Sequence, residues 1–340
     1  MYFLYYIFAP IVLYLINDII KNKSFFHNYS GDLHQKYSGE KFIPLSGGSY
    51  LIIFFVFFLY QIFFELYYFL FAVFLIGLLS DLRVVISPFK RLIMQIIVIV
   101  FFVYIFELQL LSTRIIFLDT FLTNIYFSIF FTSFCLIILM NGSNFIDGLN
   151  SLVLVYYTII LIFIFKLDFS SSLNLKEAYW HFLIYFLLIL TIFNFCKKFY
   201  LGDSGTYLLS FFTGFILIDT YNNNPSFSPF FVVLLLWYPC FENLFSIIRK
   251  SKLNKSPINP DTKHLHHLVF FFIFKKFNKK KNFSNNFASI VINIYNLLLF
   301  YLGSLNINNS QYLIILIITS IIVYTITYLK LFRYKFGSNL

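Results

Sequence analysis

Charge is scarce in this 340-residue chain: Asp, Glu, Lys and Arg together make up 11% of it, less than half of the ~25% usual in soluble domains. A water-soluble globule of this size could not cover its surface with so few charges. Glycine is limited to 12 residues and cysteine to 3, which excludes a collagen-like chain and a disulfide scaffold. Cys135, Cys196 and Cys240 lie in or at the ends of apolar runs without metal-ligand spacing, so they read as small buried residues. No heptad, internal repeat or Ser/Gly linker is visible. What is abundant is apolar: the AVILMFWYC set reaches 60%, against ~45–50% in soluble domains even with glycine counted. That excludes disorder and leaves an all-α, polytopic integral membrane protein, a single domain over residues 1–340. Four alanines against 51 Phe and 26 Tyr fit AT-rich coding, so a lone aromatic carries little functional weight.

A bilayer core of ~30 Å needs ~20 apolar residues per helix. The apolar runs predict about eleven spans (ten or eleven, since the second and third are short): 2–20, 48–63, 65–80, 91–107, 120–140, 150–166, 179–196, 205–221, 228–248, 286–303 and 311–330. The second and third are parted only by Gln61 and Glu65. The first span has no positive n-region; its charges Asp18, Lys21 and Lys23 follow the apolar run, unlike a cleavable signal. That order puts the N-terminus outside. Alternation then places 21–47, 81–90, 141–149, 197–204, a long basic loop at 249–285 and the C-terminal tail in the cytoplasm. Of the 25 Lys and Arg residues, 22 fall on that side, and only Arg114, Lys166 and Lys176 on the other. Topology therefore accounts for the net charge of +11 without any nucleic acid.

Nearly every unusual polar cluster falls at a cytoplasmic helix end, where ionisable residues are costly unless they pair, bind a ligand or meet water. "GLLSDLRVVISPFKRLIMQ" places Asp81 just past the third span, and Pro88 restarts a helix with Lys90, Arg91 and Gln95. "NGSNFIDGLNSL" interrupts two apolar runs with Asn141, Asn144, Asp147 and Asn150. One helix cap needs one such residue, not four, and Asn144 and Asp147 share a face on a helical turn. "YLGDSGTY" sets Asp203 and Ser204 between two glycines; Asp203 could cap the next helix or hold a hard cation. "NPDTKHLHHLV" carries His264, His266 and His267 beside Lys263. Without Cys or HExxH, these histidines suit phosphate oxygens better than zinc. The whole inventory of carboxylates, amides, imidazoles and cations fits a Mg²⁺-bound nucleotide diphosphate. It fits a lipid or ion transporter less well, because the polar residues avoid mid-membrane depth and no two halves repeat.

With these strings in family order, the sequence resembles the polyprenyl-phosphate N-acetylhexosamine-1-phosphate transferases, the integral-membrane family of MraY and WecA. The resemblance runs from "GDLHQKYSGEKFIPLSGG" near residue 31 to "HLHH" at 264–267. It implies transfer of a sugar 1-phosphate from a UDP-N-acetylhexosamine to undecaprenyl phosphate, with Mg²⁺ (or Mn²⁺) as cofactor and UMP as product. The site would lie at the bacterial cytoplasmic (inner) membrane, as the first membrane step of an O-antigen, teichoic acid or capsule; a homodimer is compatible with it. By resemblance, Asp203 is the metal ligand, joined by Asp147. Asp81 is the second acid of the family's Asp-Asp pair, assigned to the lipid phosphate or to activating it. Asn144 and Asp147 belong to the nucleotide-sugar and metal site, and Tyr200 is an aromatic that can stack on uracil. His264, His266 and His267 form the His-x-His-His element, with Arg249 or Lys250 as the basic position before it. Arg91 and Gln95 match the first helix motif, and Pro44, Gly47 and Gly48 an early turn. Three positions depart from the pattern: Ser80 replaces the first Asp of the pair, Asn150 an Asp, and Glu242 a common Asp. Ser80 can bond a phosphate but cannot be a carboxylate base. The interrupted His-x-His-His, with Asp261 three before it, is similar to the UDP-GlcNAc branch. The peptidoglycan branch, which handles UDP-MurNAc-pentapeptide, usually has a tighter triplet followed by Glu.

Overall fold

The computed structural model describes residues 10–19, 43–59, 64–167, 177–252, 263–278 and 280–337. The start of the first expected span, Lys21, Lys23, Lys36, Lys41, most of the string from residue 31, Gln61, Lys176, Lys255, Asp261 and Lys279 lie outside these residues. Among the described residues every regular element is a helix: α1 (Pro10–Ile19), α2 (Gly47–Leu59), α3 (Phe64–Asp81), α4 (Pro88–Ile105), α5 (Ile116–Leu122), α6 (Ile125–Ile146), α7 (Leu152–Lys166), α8 (Glu177–Phe195), α9 (Gly202–Asn223), α10 (Pro229–Lys252), α11 (Leu265–Phe277), α12 (Lys281–Ser304) and α13 (Ser310–Phe336). Apolar runs fold this way because lipid offers no partner to a backbone N–H or C=O. Local signals set several ends. Pro88 opens α4, where its missing N–H costs nothing. Asn124 caps α6 by accepting from the amides of Tyr126 and Phe127 at 3.0 and 3.2 Å, and Asn309 caps α13 through Tyr312.

Each expected span overlaps a helix within the described residues, but 120–140 begins in α5 and crosses the break at Thr123 and Asn124 into α6. Six helices are long and apolar enough to cross a membrane by length and composition: α4, α6, α8, α10, α12 and α13. Three more, in α1, α2 and α7, are apolar but shorter. This is the build of a multi-pass helical membrane protein. Two expected loops are corrected. The 249–285 segment is not one loop: it contains α11, and α12 already begins at Lys281. Thirteen residues are too few to span a bilayer, yet α11 buries Leu265, Leu268, Phe270 and Ile273 against α12 and α13. The 141–149 break also shrinks, because α6 runs on to Ile146. Its two amides are accommodated: Asn141 donates to Gln95 and to the Ile137 carbonyl, and Asn144 to Asp203.

The centre of the bundle is α9, which packs against α2, α3, α6, α7 and α10. It is buried almost along its whole length, including Ser204, Thr206, Ser210, Thr213, Asp219 and Thr220. These polar side chains exclude α9 from the most apolar helices, and its neighbours shield it from lipid. Contact with α3 is closest at Gly77, where a Cβ would overlap the backbone of Ser204; only glycine admits that approach. In α10, Pro239 cannot donate to the Leu235 carbonyl one turn earlier. The buried hydroxyl of Tyr156 on α7 takes that carbonyl instead, at 2.7 Å.

Candidate active site

The C-terminal ends of α3 and α6 meet the N-terminal ends of α4 and α9. Asp203 stands in the first turn of α9, where the helix dipole favours negative charge. Its Oδ2 accepts from Ser80 Oγ and Arg91 Nη1, both at 2.5 Å, and its Oδ1 from Asn144 Nδ2 at 2.5 Å. Arg91 also bonds Ser80 directly. One carboxylate thus gathers side chains from α3, α4 and α6. The serine that replaces an acid is part of this hub: Ser80 donates to Asp203, where a carboxylate would repel it.

Asp81 faces the other way. Its Oδ1 accepts from the Asp203 amide at 2.8 Å, and its Oδ2 from the amide and hydroxyl of Ser204 at 3.0 and 2.6 Å. The N-cap position of α9 is Leu201, which offers no side-chain acceptor. Asp81 therefore caps α9 from a different helix. Asp147, just past α6, accepts from Thr206 Oγ1 at 3.1 Å. Burial, with the Asp203 carboxylate adding to it, pushes the Asp147 carboxyl up to about 7.

The histidine element reaches the same region. Gly148 follows Asp147, and a Cβ there would overlap the rings of His266 and His267; glycine alone lets these imidazoles lie against that turn. Both ring nitrogens of His266 are buried without a hydrogen-bond partner among the described residues. Burial, with His264 beside it, holds this ring well below the usual histidine range, so it is neutral at pH 7. His264 Nδ1 lies 2.9 Å from Glu242 Oε1. Lys250 is buried, its Nζ 5.6 Å from the Phe145 ring centroid, and Phe145 in turn lies 5.6 Å from His264.

Not every expected residue joins the cluster. Arg249 bonds Ser246 at 3.3 Å and lies over the ring of Tyr328 at 6.0 Å, towards α13. Tyr200 is buried with Ile43 and Leu45. Its backbone pairs with Pro44 and Gly47, so the early turn and the Tyr200 segment brace each other. Asn150, which stands in place of the family's Asp, donates through its backbone amide to Asn285 and through its side chain to Asn286, tying the turn to α12. Sequence reasoning missed Thr206, the partner of Asp147, which carries no signal beyond its place one turn after Asp203.

A hard cation prefers carboxylate and carbonyl oxygens, and Mg²⁺ is usually held by one or two carboxylates together with substrate phosphates. Asp203 and Asp147 supply that donor set. Among the described residues no three His, Cys, Asp or Glu are grouped to hold a metal, as a dedicated protein cage would require. These two carboxylates could share a cation with a phosphate ligand.

Fold and site together define a multi-pass membrane protein with a cluster of carboxylates, an arginine, an amide and imidazoles at one end of its bundle. Residues 63–221, which carry Ser80, Asp81, Arg91, Asn144, Asp147 and Asp203, match the sequence model of glycosyl transferase family 4. Over that segment, a little under half of its length, the chain is similar to this family. It is similar to undecaprenyl-phosphate alpha-N-acetylglucosaminyl 1-phosphate transferases from Thermotoga maritima (26% identical over 204 residues, 59% of this chain and 60% of that protein) and Salmonella typhi (29% over 208 residues, 57% and 54%). The Escherichia coli (strain K12) enzyme of that name is 28% identical over 155 residues, 42% of this chain and 41% of its own. The chain spans between two fifths and three fifths of the length of these relatives.

Proposed function

We propose that this protein transfers a sugar 1-phosphate, N-acetylglucosamine 1-phosphate in the first instance, from a UDP-sugar to undecaprenyl phosphate. The products are the undecaprenyl diphosphate sugar and UMP. The observation that carries this reading is the Asp203 hub: donors from three helices converge on one carboxylate, within the segment that matches the family. The activity of the relatives named above supports the acceptor and the sugar.

The chemistry asks little of a base. A phosphate monoester has its second pKa near ~6, so the lipid phosphate is mostly dianionic at pH 7. One of its oxygens attacks the β-phosphorus of the UDP-sugar, and the bond to UMP breaks in line. The obstacle is bringing two anions together. Asp203 and Asp147 would hold Mg²⁺, which when bound supplies charge neutralisation to the pyrophosphate. Arg91, Ser80 and Asn144 hold Asp203 in place, and Lys250 provides a cation beside the His264–His267 element. Asp81 positions the α9 N-terminus and is not an obligatory base. We place this face on the cytoplasmic side of a bacterial inner membrane, a reading that the distribution of the cations supports.

Release of UMP from the purified full chain, UDP-GlcNAc, undecaprenyl phosphate and Mg²⁺ tests this. Activity is expected in wild type, with loss of at least about 10³-fold in Asp203→Ala. No UMP from wild type with any of several UDP-N-acetylhexosamines overturns the enzyme reading. Undiminished release from Asp203→Ala overturns the site.

A further inference from the structure

The structure holds a buried chain of hydrogen bonds that lies wholly beyond the family-matched segment. Glu242, on α10, is fully buried, and each of its carboxylate oxygens takes one donor. His264 Nδ1 is 2.9 Å from Oε1, and the Tyr324 hydroxyl is 2.7 Å from Oε2. A carboxylate accepts, so the imidazole donates through Nδ1–H. Tyr324 belongs to α13, 82 residues further along the chain than Glu242.

We propose that Tyr324 is a positioning residue for the transfer. It fixes Glu242, and Glu242 fixes His264 in the tautomer and orientation that leave Nε2 as an acceptor for a hydroxyl or amide N–H of the sugar donor. This rests on the transferase reading above. Three features argue for it. The Tyr324 ring cannot swing away: it meets Phe241 edge-on at 4.9 Å and Phe245 at 5.3 Å, and stacks on Tyr328 at 6.1 Å. The hydroxyl therefore has one direction. The His264 ring is equally confined, lying parallel to His266 at 5.6 Å and against Phe145 at 5.6 Å. Finally, a buried carboxylate with one oxygen unbonded would draw on the other donor and tilt it; Tyr324 removes that pull. An imidazole aimed by a carboxylate that is itself held by a hydroxyl is the arrangement by which outer partners set ring orientation. A bond serving only to tie α13 to α10 would leave the reaction untouched.

The test uses the full chain in lipid nanodiscs, labelled with ¹⁵N-histidine, with the His264 signals assigned by their loss in His264→Gln. Wild type at pH 8 is expected to carry its proton on Nδ1, with Nε2 bare. Tyr324→Phe is expected to mix the tautomers and to lower kcat for UMP release by about 10- to 100-fold, while KM for UDP-GlcNAc stays within about twofold. Tyr312→Phe, which loses a hydroxyl bond to Leu302 at the far end of the same helix, should change neither. A wild-type spectrum with the proton on Nε2 alone overturns the proposal even where Tyr324→Phe fails to fold. So does a folded Tyr324→Phe protein with unchanged tautomer and kcat. Absence of UMP release from wild type with Nδ1–H in place overturns the transferase reading and the catalytic half of the proposal, and leaves the relay standing.

Discussion

At the scale of single residues, Asp81 and Asp203 divide the work of two acids. Asp203 gathers side chains, whereas Asp81 gathers the backbone of the helix on which Asp203 rides. Asp81→Asn turns one acceptor oxygen into a donor facing other donors, at a cost of about 1–3 kcal/mol. A lower melting temperature in detergent is expected, with UMP release kept within about tenfold of wild type; a loss beyond ~10⁴-fold with stability unchanged would make Asp81 the general base. Both acids stand out in the sequence because charge is so rare, and so do Asn144, Asp147 and the histidines. That Asp81 caps the helix of Asp203 had no local sign, since 122 residues separate them. Tyr324 was illegible for a different reason: it is one of 26 tyrosines in an aromatic-rich chain, and only packing selects it.

At the scale of helices, apolar run length located nearly every element, because a bilayer imposes a length on each. It failed where an element does not cross. A 13-residue helix flanked by lysines and asparagines has the composition of a loop, and α11 shows its buried side only once α12 and α13 are present. It failed again at Asn141 and Asn144, which look like helix breakers until Gln95 and Asp203 provide partners. The proline in α10 makes a sharper prediction. Tyr156→Phe should destabilise the protein by about 1–3 kcal/mol, because the Leu235 carbonyl loses its donor. In a Pro239→Ala background the same substitution should cost clearly less, since an alanine at that position brings back the helical N–H. Equal losses in both backgrounds, measured by reversible unfolding in detergent, would deny the compensation.

At the scale of the molecule, charge and topology meet. In protein stripped of its native cysteines, Lys276→Cys should react with an impermeant maleimide only from the cytoplasmic side, and Arg114→Cys only from the outside. The reverse pattern would invert the assigned orientation. Metal and proton also compete across the site. Asp147 has its folded pKa raised to about 7, against ~3.9 in an unfolded chain. Its contribution to the stability of metal-free protein is complete below pH ~3.9 and is lost as pH rises through about 7. A cation that binds the ionised carboxylate reverses that loss. Mg²⁺ should therefore raise the melting temperature more at pH 8 than at pH 6; an equal rise at both would remove Asp147 from the metal site.

The central helix also constrains how the chain can be made. With Asp203, Asp219 and a row of serines and threonines, α9 would leave a translocon reluctantly as a solitary segment. Four of its five packing partners, α2, α3, α6 and α7, precede it in the chain, so its berth is synthesised before it emerges. Order of synthesis thereby does for α9 what hydrophobicity does for its neighbours. A permuted chain in which α9 comes first should stall at insertion, although every contact in its final state would be the same.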